Sequence, residues 1–490
     1  MSLTSLLSIA RGALTAHEKA VGVIGHNIAN ADTPGYTRQR VQFAAATPES
    51  LPPIGQIGRG VELIGIERLR SSFFDESWRR EAGVGSQYST LKQTLEQVSG
   101  IIGEPSDTGI AASLDSLIDA FHTLATNPVD PTARAVVLAN ASGLADKFRS
   151  IDTRLESVAQ NVGTEIRQVV VQSNALLQEV QELNGLIREA GGNAPDLLDR
   201  RDQAIDRLSQ FLDVRVIPRE RGVVDVTVNG LQLVAEGGSI QTLSVSGQGP
   251  YQLQLGSPPS SVTVNGGKLK GLMDAFAAIG TRGTAAARAT GLRGQLDDLA
   301  AGLVGAVNQI HSDYDPTTKP LQPTLTPAPT PLRTIGAFFD PAGVTAASIR
   351  LDAALEADPS LLAAGYSTAA GDNTIAVRLG ELRNLAVPVP GASAANANSP
   401  AVTAGPAQVL GEFFTATVAG LGVTTQNAAN RATSQDVLVN HLEAQRQDQS
   451  GVNIDEEMVR LIEHQQAYAA AARLVQAADE MLRELINLGR

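Results

Sequence analysis

The side chains able to do chemistry in this chain are few and scattered. There are six histidines, His17, His26, His122, His311, His441 and His464. No two of them stand four residues apart around a glutamate, the arrangement that would set a catalytic zinc ion on one helix face. The strongest candidate for a divalent ion is His311-Ser312-Asp313-Tyr314-Asp315, where an imidazole and two carboxylates meet at a helix end. Its spacing fits no standard metal loop, and a solvated helix terminus accounts for it more simply. Asp199, Asp202 and Asp206 share one helical face, but Arg200, Arg201 and Arg207 are interleaved with them, so surface ion pairs are expected. The stretch GQIGRG, Gly55 to Gly60, shares only its glycines with a phosphate loop and reads as a turn between short strands. The sequence has no G-x-S-x-G elbow, no Walker A loop and no cysteine, which removes elbow serines, thiolates, disulfides and iron–sulfur clusters. The chain reads as a non-enzyme without catalytic residue, cofactor or metal.

Composition narrows the class further. Lysine and arginine number 38 against 51 aspartates and glutamates, a net charge of −13, with 43% hydrophobic and 18% charged residues. That balance is too apolar for intrinsic disorder and too acidic for a nucleic-acid binder, which needs a basic surface to neutralise phosphates. Aromatic residues, at 4%, are poor provision for an aromatic-lined ligand pocket. No run reaches the roughly 18 consecutive apolar residues of a membrane span. The first residues are apolar but spaced helically, and Arg11 follows the apolar run instead of preceding it, so they read as a helix and not as a cleaved signal. Neither nucleic acid nor membrane insertion is expected. At about 150 residues per domain, length alone allows roughly three domains.

The elements that must position these residues are mostly helices. Leu3, Leu7, Ala10, Leu14, His17, Val21, Ile24 and Ile28 follow alternating four- and three-residue steps, a coiled-coil seam. The other end of the chain answers with Met458, Leu461, Gln465, Tyr468, Ala472, Val475, Asp479, Leu482 and Ile486, where Gln465 and Asp479 interrupt the apolar row. Each stripe needs a partner, and the economical partner is the other stripe. A far longer helix follows Asp130-Pro131, an N-cap and first-turn proline. Its seam runs from Val137 through Leu144, Phe148, Leu155, Val162, Ile166, Ser173 and Leu176 to Ile187, and closes at Gly191-Gly192. The step from Val162 to Ile166 is a stutter with Gly163 inside it. Shorter helical patterns cover 84–98, 113–126, 196–212 and 287–312. Between 213 and 271 the period changes to two, and Asn229-Gly230 supplies a hairpin turn after Val224, Val226 and Val228. Residues 316–331 and 387–404 are Pro/Ala-rich connections.

One segment stands apart, GHNIANADTPGYTRQRVQF, Gly25 to Phe43. Asn27 to Asn30 closes the first helix, since asparagine tolerates the left-handed cap conformation. Thr33-Pro34-Gly35-Tyr36 has the proline and glycine of a type II turn, which demands a positive φ at Gly35. Val41 and Phe43 then begin a strand. With these residues the sequence resembles the bacterial flagellar axial proteins, whose rod, hook and hook-associated members share an N-terminal helix followed by an NxANxxTxGY element. Asn27, Asn30, Thr33, Pro34, Gly35 and Tyr36 stand at or beside that element, and TPGYTRQ, Thr33 to Gln39, is similar to its hook-associated branch. The ending from Ser450 to Leu488, with SGVN, DEE and QQAY, is similar as well, as are Leu197 to Val216, Gly266 to Phe276 and Leu355 to Val377.

The resemblance implies a structural subunit at the junction of hook and filament, exported unfolded through the flagellar type III apparatus and assembled outside the cell. It implies as partners copies of itself, the hook protein, a second hook-associated protein and an export chaperone on the C-terminal helix. A hook or rod protein is the alternative in the same class, and an adhesin or enzyme on the outer domain the alternative from another. The expected fold is α+β and mostly helical, with terminal coiled-coil helices, a long helical rod domain and a smaller outward β domain inserted mid-chain. Residues 1–70 with 446–490 make the inner coiled-coil layer, and 71–212 with 272–315 and 405–445 the rod. Residues 213–271 with 332–386 make the outer β-rich domain. The assembly seam is expected at Leu3, Leu7, Leu14, Val21, Ile24 and Ile28 against Met458, Leu461, Tyr468, Val475, Leu482 and Ile486. The motif residues shape the joint between the layers.

Overall fold

In the computed structural model, which describes residues 3–51, 55–247, 249–282, 289–312, 336–367, 369, 371–389 and 407–488, the chain opens with α1 (Leu3–Ala29). This helix stops at the asparagines, where the Asn30 N–H returns to the carbonyls of His26 and Asn27 at 3.1 and 3.2 Å. β1 (Gln39–Ala45), the small hairpin of β2 (Glu49–Leu51) and β3 (Gly55–Ile57), and β4 (Val61–Arg68) follow. β1 and β4 pair antiparallel with a bulge at Gln42/Phe43.

α2 (Ser72–Ile102), α3 (Ile110–Thr126), α4 (Pro131–Glu189) and α5 (Pro195–Phe211) build the body. α2 begins well before the expected residue 84, because its first turns bury Asp75 and Arg79, which carry no apolar period. α4 starts where Asp130 accepts from the Thr132 N–H at 2.8 Å, and its 59 residues extend about 88 Å at 1.5 Å per residue. Its end is tied down by the Gly192 N–H on the Ile187 carbonyl, 2.8 Å. Val137, Leu144, Phe148, Leu155, Ile166, Ser173, Val180 and Ile187 are all buried along it, and at one turn Leu177 takes the buried place expected for Leu176.

Two three-stranded antiparallel sheets lie on this helix. One comprises β5 (Val214–Pro218), β6 (Val224–Val228) and β7 (Leu231–Val234), and the other β8 (Leu243–Ser246), β9 (Gln252–Leu255) and β10 (Ser260–Val262). The hairpin between β6 and β7 turns at Asn229 and Gly230, with φ of 48° and 80°, the signature of a type I′ turn. α4 holds each sheet with an asparagine. Asn184 pairs with both the N–H and the carbonyl of Val224, and Asn174 does the same with Leu243.

α6 (Gly267–Ile279) and α7 (Gly291–His311) return to the body. Between 336 and 385 the described residues hold α8 (Ala353–Ala357), α9 (Thr374–Gly380) and a single bridge between Phe339 and Leu351 instead of a run of strands. Their turns are made by Asp352 and Asp358, which cap short helices. Their apolar residues, led by the fully buried Phe338 and Phe339, fill the space beside α3 and α7, and the Phe338 ring lies 5.7 Å from that of Phe121. This segment therefore belongs to the helical core and not to the two sheets. The Pro-rich stretch 316–331 lies outside the described residues. So does nearly all of 387–404, except that β11 (Ala386–Pro388) pairs with β12 (Ala407–Val409).

α10 (Leu410–Ser450) runs along α2, and after a break at Gly451–Asn453 the chain ends in α11 (Ile454–Leu488), which packs on α1. Thus the fold is α+β and mostly helical, with terminal helices and a small central β region. One large apolar cluster spans the body, whereas among the described residues α1, β1 and β4 share a small one of Ala20, Val23, Val41 and Ile66. Among the described residues, no helix is long and apolar enough to cross a membrane.

Candidate functional site

Asn27 is the centre of the connection between the two ends of the chain. It is 1% exposed, and its amide uses every hydrogen-bonding position it has. Nδ2 donates to the Gln39 carbonyl at 2.9 Å and to Glu457 Oε2 at 2.8 Å. Oδ1 accepts from the Tyr36 hydroxyl at 2.8 Å and from the Gln39 N–H at 3.0 Å. Glu457, itself buried, also accepts from Arg38 Nε at 2.7 Å. The Arg38 N–H donates to the Ser450 carbonyl at 2.8 Å, just before the break that leads into α11. Burial, reinforced by Asp196, Asp199 and Glu457, raises the Tyr36 phenol far above its ordinary value, so it stays a hydrogen-bond donor.

The remaining motif residues build the turn that feeds this centre. Thr33 donates its N–H to the Asn30 carbonyl at 2.9 Å and its hydroxyl to Asn30 Oδ1 at 3.3 Å. The Tyr36 N–H closes the turn on the Thr33 carbonyl at 3.1 Å, and Gly35 sits at φ 74°. The Pro34 carbonyl accepts from Gln203 of α5 at 2.9 Å. Immediately after the turn, Thr37 gives its N–H and hydroxyl to Asp199 at 3.0 and 2.5 Å, which ties the segment to α5.

The surface ion pairs expected around Asp199, Asp202 and Asp206 are instead buried, at 4%, 6% and 7% exposure. Only Arg201 among the interleaved arginines takes part, on Asp202 at 2.8 Å, while Arg200 and Arg207 face solvent. The other partners come from far along the chain. Arg68 of β4 reaches Asp199 and Asp202 at 2.7 and 3.0 Å, Arg79 of α2 reaches Asp206 at 2.6 Å, and Arg446 of α10 reaches Asp206 at 2.9 Å. Arg70 bridges Asp75 and Asp202, and Arg446 stacks over Trp78 with its guanidinium 4.9 Å from the ring. Burial alone would raise the Asp202 carboxyl. Arg70, Arg201, Arg68 and Arg79 together outweigh that and hold it well below the usual carboxylate range. Helix spacing could not show these partners, since segments distant in the sequence supply them.

Along the paired ends, the buried face of α1 passes through Ala10, Ala16, Ala20, Val23, Ile24 and Asn27. Leu7, Leu14, Val21 and Ile28 flank it half-buried, and the Leu3 side chain lies outside the described residues. On α11 the buried positions are Glu457, Ala471 and Ala478, with Leu461, His464, Val475 and Leu482 half-buried. One row of the face thus lies a residue before the Met458, Gln465, Ala472 and Asp479 row, which puts the polar Gln465 and Asp479 outside. Met458, Tyr468 and Ile486 are 44%, 42% and 61% exposed, beside the similarly exposed Ile454, Val459 and Ile462.

The metal candidate dissolves in the structure. His311 is fully buried, with Nδ1 3.0 Å from the Gly336 carbonyl and Nε2 accepting the Ala363 N–H at 3.1 Å. Burial pushes its pKa down to about 4. Asp313 and Asp315 lie outside the described residues, and among the described residues no group of three His, Asp or Glu is placed to hold a metal ion.

Paired terminal helices, a buried motif joining them, and a long helical body between them make this an axial component of the bacterial flagellum. Residues 7–37 match the family model of the flagella basal body rod protein, and residues 438–488 that of the flagellar basal body rod FlgEFG protein C-terminal. A third model, the flagellar hook-associated protein FlgK helical domain, matches 95–315. Over nearly its whole length the chain is similar to proteins named flagellar hook-associated protein 1. It is 28% identical to flagellar hook-associated protein 1 of Bacillus subtilis over 98% of this chain and 97% of that one. To the Escherichia coli protein of the same name it is 25% identical, over 99% of this chain and all of that one. Its fold is similar to that of the flagellar hook junction protein FlgK from Burkholderia pseudomallei, with a TM-score of 0.58 at 15% identity, covering 76% of this chain and 99% of that chain.

Proposed function

We propose that this protein is a structural subunit joining flagellar hook to filament, and that it works by self-assembly and without catalysis. The observation that carries the mechanism is the unequal burial of the two ends. α1 and α11 hold each other through small residues and the Asn27 centre, while α11 still shows solvent Ile454, Met458, Val459, Ile462, Tyr468 and Ile486. Exposed apolar surface on a paired end gains burial only when a neighbouring subunit covers it, so assembly completes folding. The terminal seam residues named from the sequence are the proposed contacts, and Asn27, Asn30, Thr33, Pro34, Gly35 and Tyr36 are the proposed joint between inner layer and body.

On this reading the neighbours are further copies, the hook protein on one side and a second hook-associated protein on the other. The chain is exported unfolded through the type III apparatus, with a chaperone on Ser450 to Leu488 before assembly, and acts outside the cell. A chain without cysteine suits such a route, because no disulfide can form to block threading. In dilute subunits α1 and α11 should be cut by protease before the body is. Deleting the gene tests the role directly: hooks without filaments and flagellin shed into the medium are expected, with recovery on complementation. Normal filaments on a deletion strain would overturn it.

A further inference from the structure

His17 on α1 and His464 on α11 meet ring against ring. Their Nδ1 atoms are 3.0 Å apart and their ring centroids 5.3 Å. The Phe43 ring of β1 closes the third side, 6.2 Å from each. Two imidazole nitrogens at this distance share a single proton: one ring donates Nδ1–H and the other accepts on a bare Nδ1. Two imidazolium rings would each present an Nδ1–H and a like charge, and no bond could form. We propose that the His17–His464 pair is a proton-operated latch between the terminal helices, closed while no more than one ring is charged and released when both are.

The surroundings favour this behaviour. His464 is held below its ordinary value first by burial and then by His17, with Arg460 adding to the effect and Glu463 opposing it. On α1 the neighbouring Glu18 and Lys19 are exposed. The sheet presents Phe43 and its cross-strand partner Leu63, both uncharged, while Glu62 lies opposite Ala44, and Arg40 and Glu67 pair with each other. With the helices apart each ring is free to take its own proton, as an ordinary imidazole does at about 6.5. The open state then binds one proton more than the closed state, and opening grows up to about tenfold per pH unit below that value. The inference rests on the pairing of α1 with α11, not on the junction role.

The test is hydrogen exchange of the full-length chain, with labelling from milliseconds upward, in EDTA, at pH 7.5 and 5.5, and corrected for intrinsic rates. Relative to α4, peptides from α1 and α11 should lose protection by up to about tenfold at the lower pH, and His464→Gln should abolish that loss. Equal protection at both pH values in the parent, or the same loss in His464→Gln, overturns the latch. Should the variant leave both helices unprotected even at pH 7.5, imidazole titration by NMR on the parent decides. Two well-separated steps support a shared proton, whereas two independent titrations near 6.5 refute it.

Discussion

Tyr251, the residue before β9 of the second sheet, lays its hydroxyl against the backbone of Gly163 in the middle of α4. A β-carbon at Gly163 would overlap that hydroxyl and stand 2.8 Å from Tyr251 Cζ. The ring is held there by Phe276, with centroids 4.7 Å apart, and by Arg167, whose guanidinium lies over it and donates to its oxygen at 3.2 Å. The glycine inside the stutter is thus a notch that seats the sheet on the long helix.

Gly163→Ala sets two effects against each other. Alanine favours a helix interior by about 1 kcal/mol, but crowding a packed ring costs about 1–3 kcal/mol. Crowding wins here, since displacing the ring also breaks its contacts with Phe276 and Arg167. Denaturant unfolding should show Gly163→Ala less stable by about 1–2 kcal/mol in the parent, and more stable by about 1 kcal/mol in a Tyr251→Ala background. The same sign in both backgrounds would refute the notch.

Asn27 makes a sharper demand, because both its donors and both its acceptor positions are engaged. Asn27→Asp turns the donor facing Glu457 Oε2 into a second buried carboxylate, and a loss of about 3–5 kcal/mol at the joint is expected. Asn27→Ala, which removes bonds without adding charge, should lose about 2 kcal/mol. Limited proteolysis across 30–38 reads both. Adding Glu457→Gln to Asn27→Asp should restore part of the loss, since an amide can donate to the new carboxylate and still accept from Arg38. A double variant no more stable than Asn27→Asp alone would show that the two side chains are not coupled.

How much of this was legible in the sequence depended on whether the signal was local. Asp130-Pro131, Gly191-Gly192 and Asn229-Gly230 mark their helix ends and turn because capping and positive φ are properties of adjacent residues. The start of α2 was hidden, since its buried face carries Asp75 and Arg79, and a hydrophobic period cannot register charge that is buried by pairing. The same blindness placed Asp199, Asp202 and Asp206 on the surface, their arginines lying in β4, α2 and α10. On α11 the heptad favoured the larger Met458, whereas the contact with α1 selects Ala471 and Ala478, whose small side chains let the helices approach. Residues 336–389 concealed their helices because segments of five to seven residues are too short to show a period.

His311 makes the protein sensitive to acid in a defined window. Its folded value is about 4, and the unfolded value is about 6.5. As pH falls through 6.5 the unfolded chain takes up a proton that the folded chain refuses, so this stability is complete above 6.5 and lost between 6.5 and 4. The loss reaches about 3 kcal/mol. His311→Phe removes the titration along with the bonds to Gly336 and Ala363. The urea midpoint of the variant should lie below the parent at pH 7.5 and converge on it by pH 4.5. Parallel curves across that range would contradict the buried neutral imidazole.

Gly35 carries the last prediction, and it reaches the filament. At φ 74° a residue with a β-carbon costs about 1–2 kcal/mol, and β-branching makes this worse. The added carbon would also collide with the Gln203 amide, which would swing away and release the Pro34 carbonyl. Strain and the lost bond act on the same turn, which delivers Tyr36 to Asn27 and Thr37 to Asp199. Gly35→Val should therefore weaken filament attachment, read as swimming halos and as shed flagellin, while Gln203→Ala, which loses only the bond, should have a much smaller effect. Should Gln203→Ala match Gly35→Val, the hydrogen bond and not the backbone would be the controlling feature. Normal attachment in Gly35→Val would remove the turn from the joint altogether.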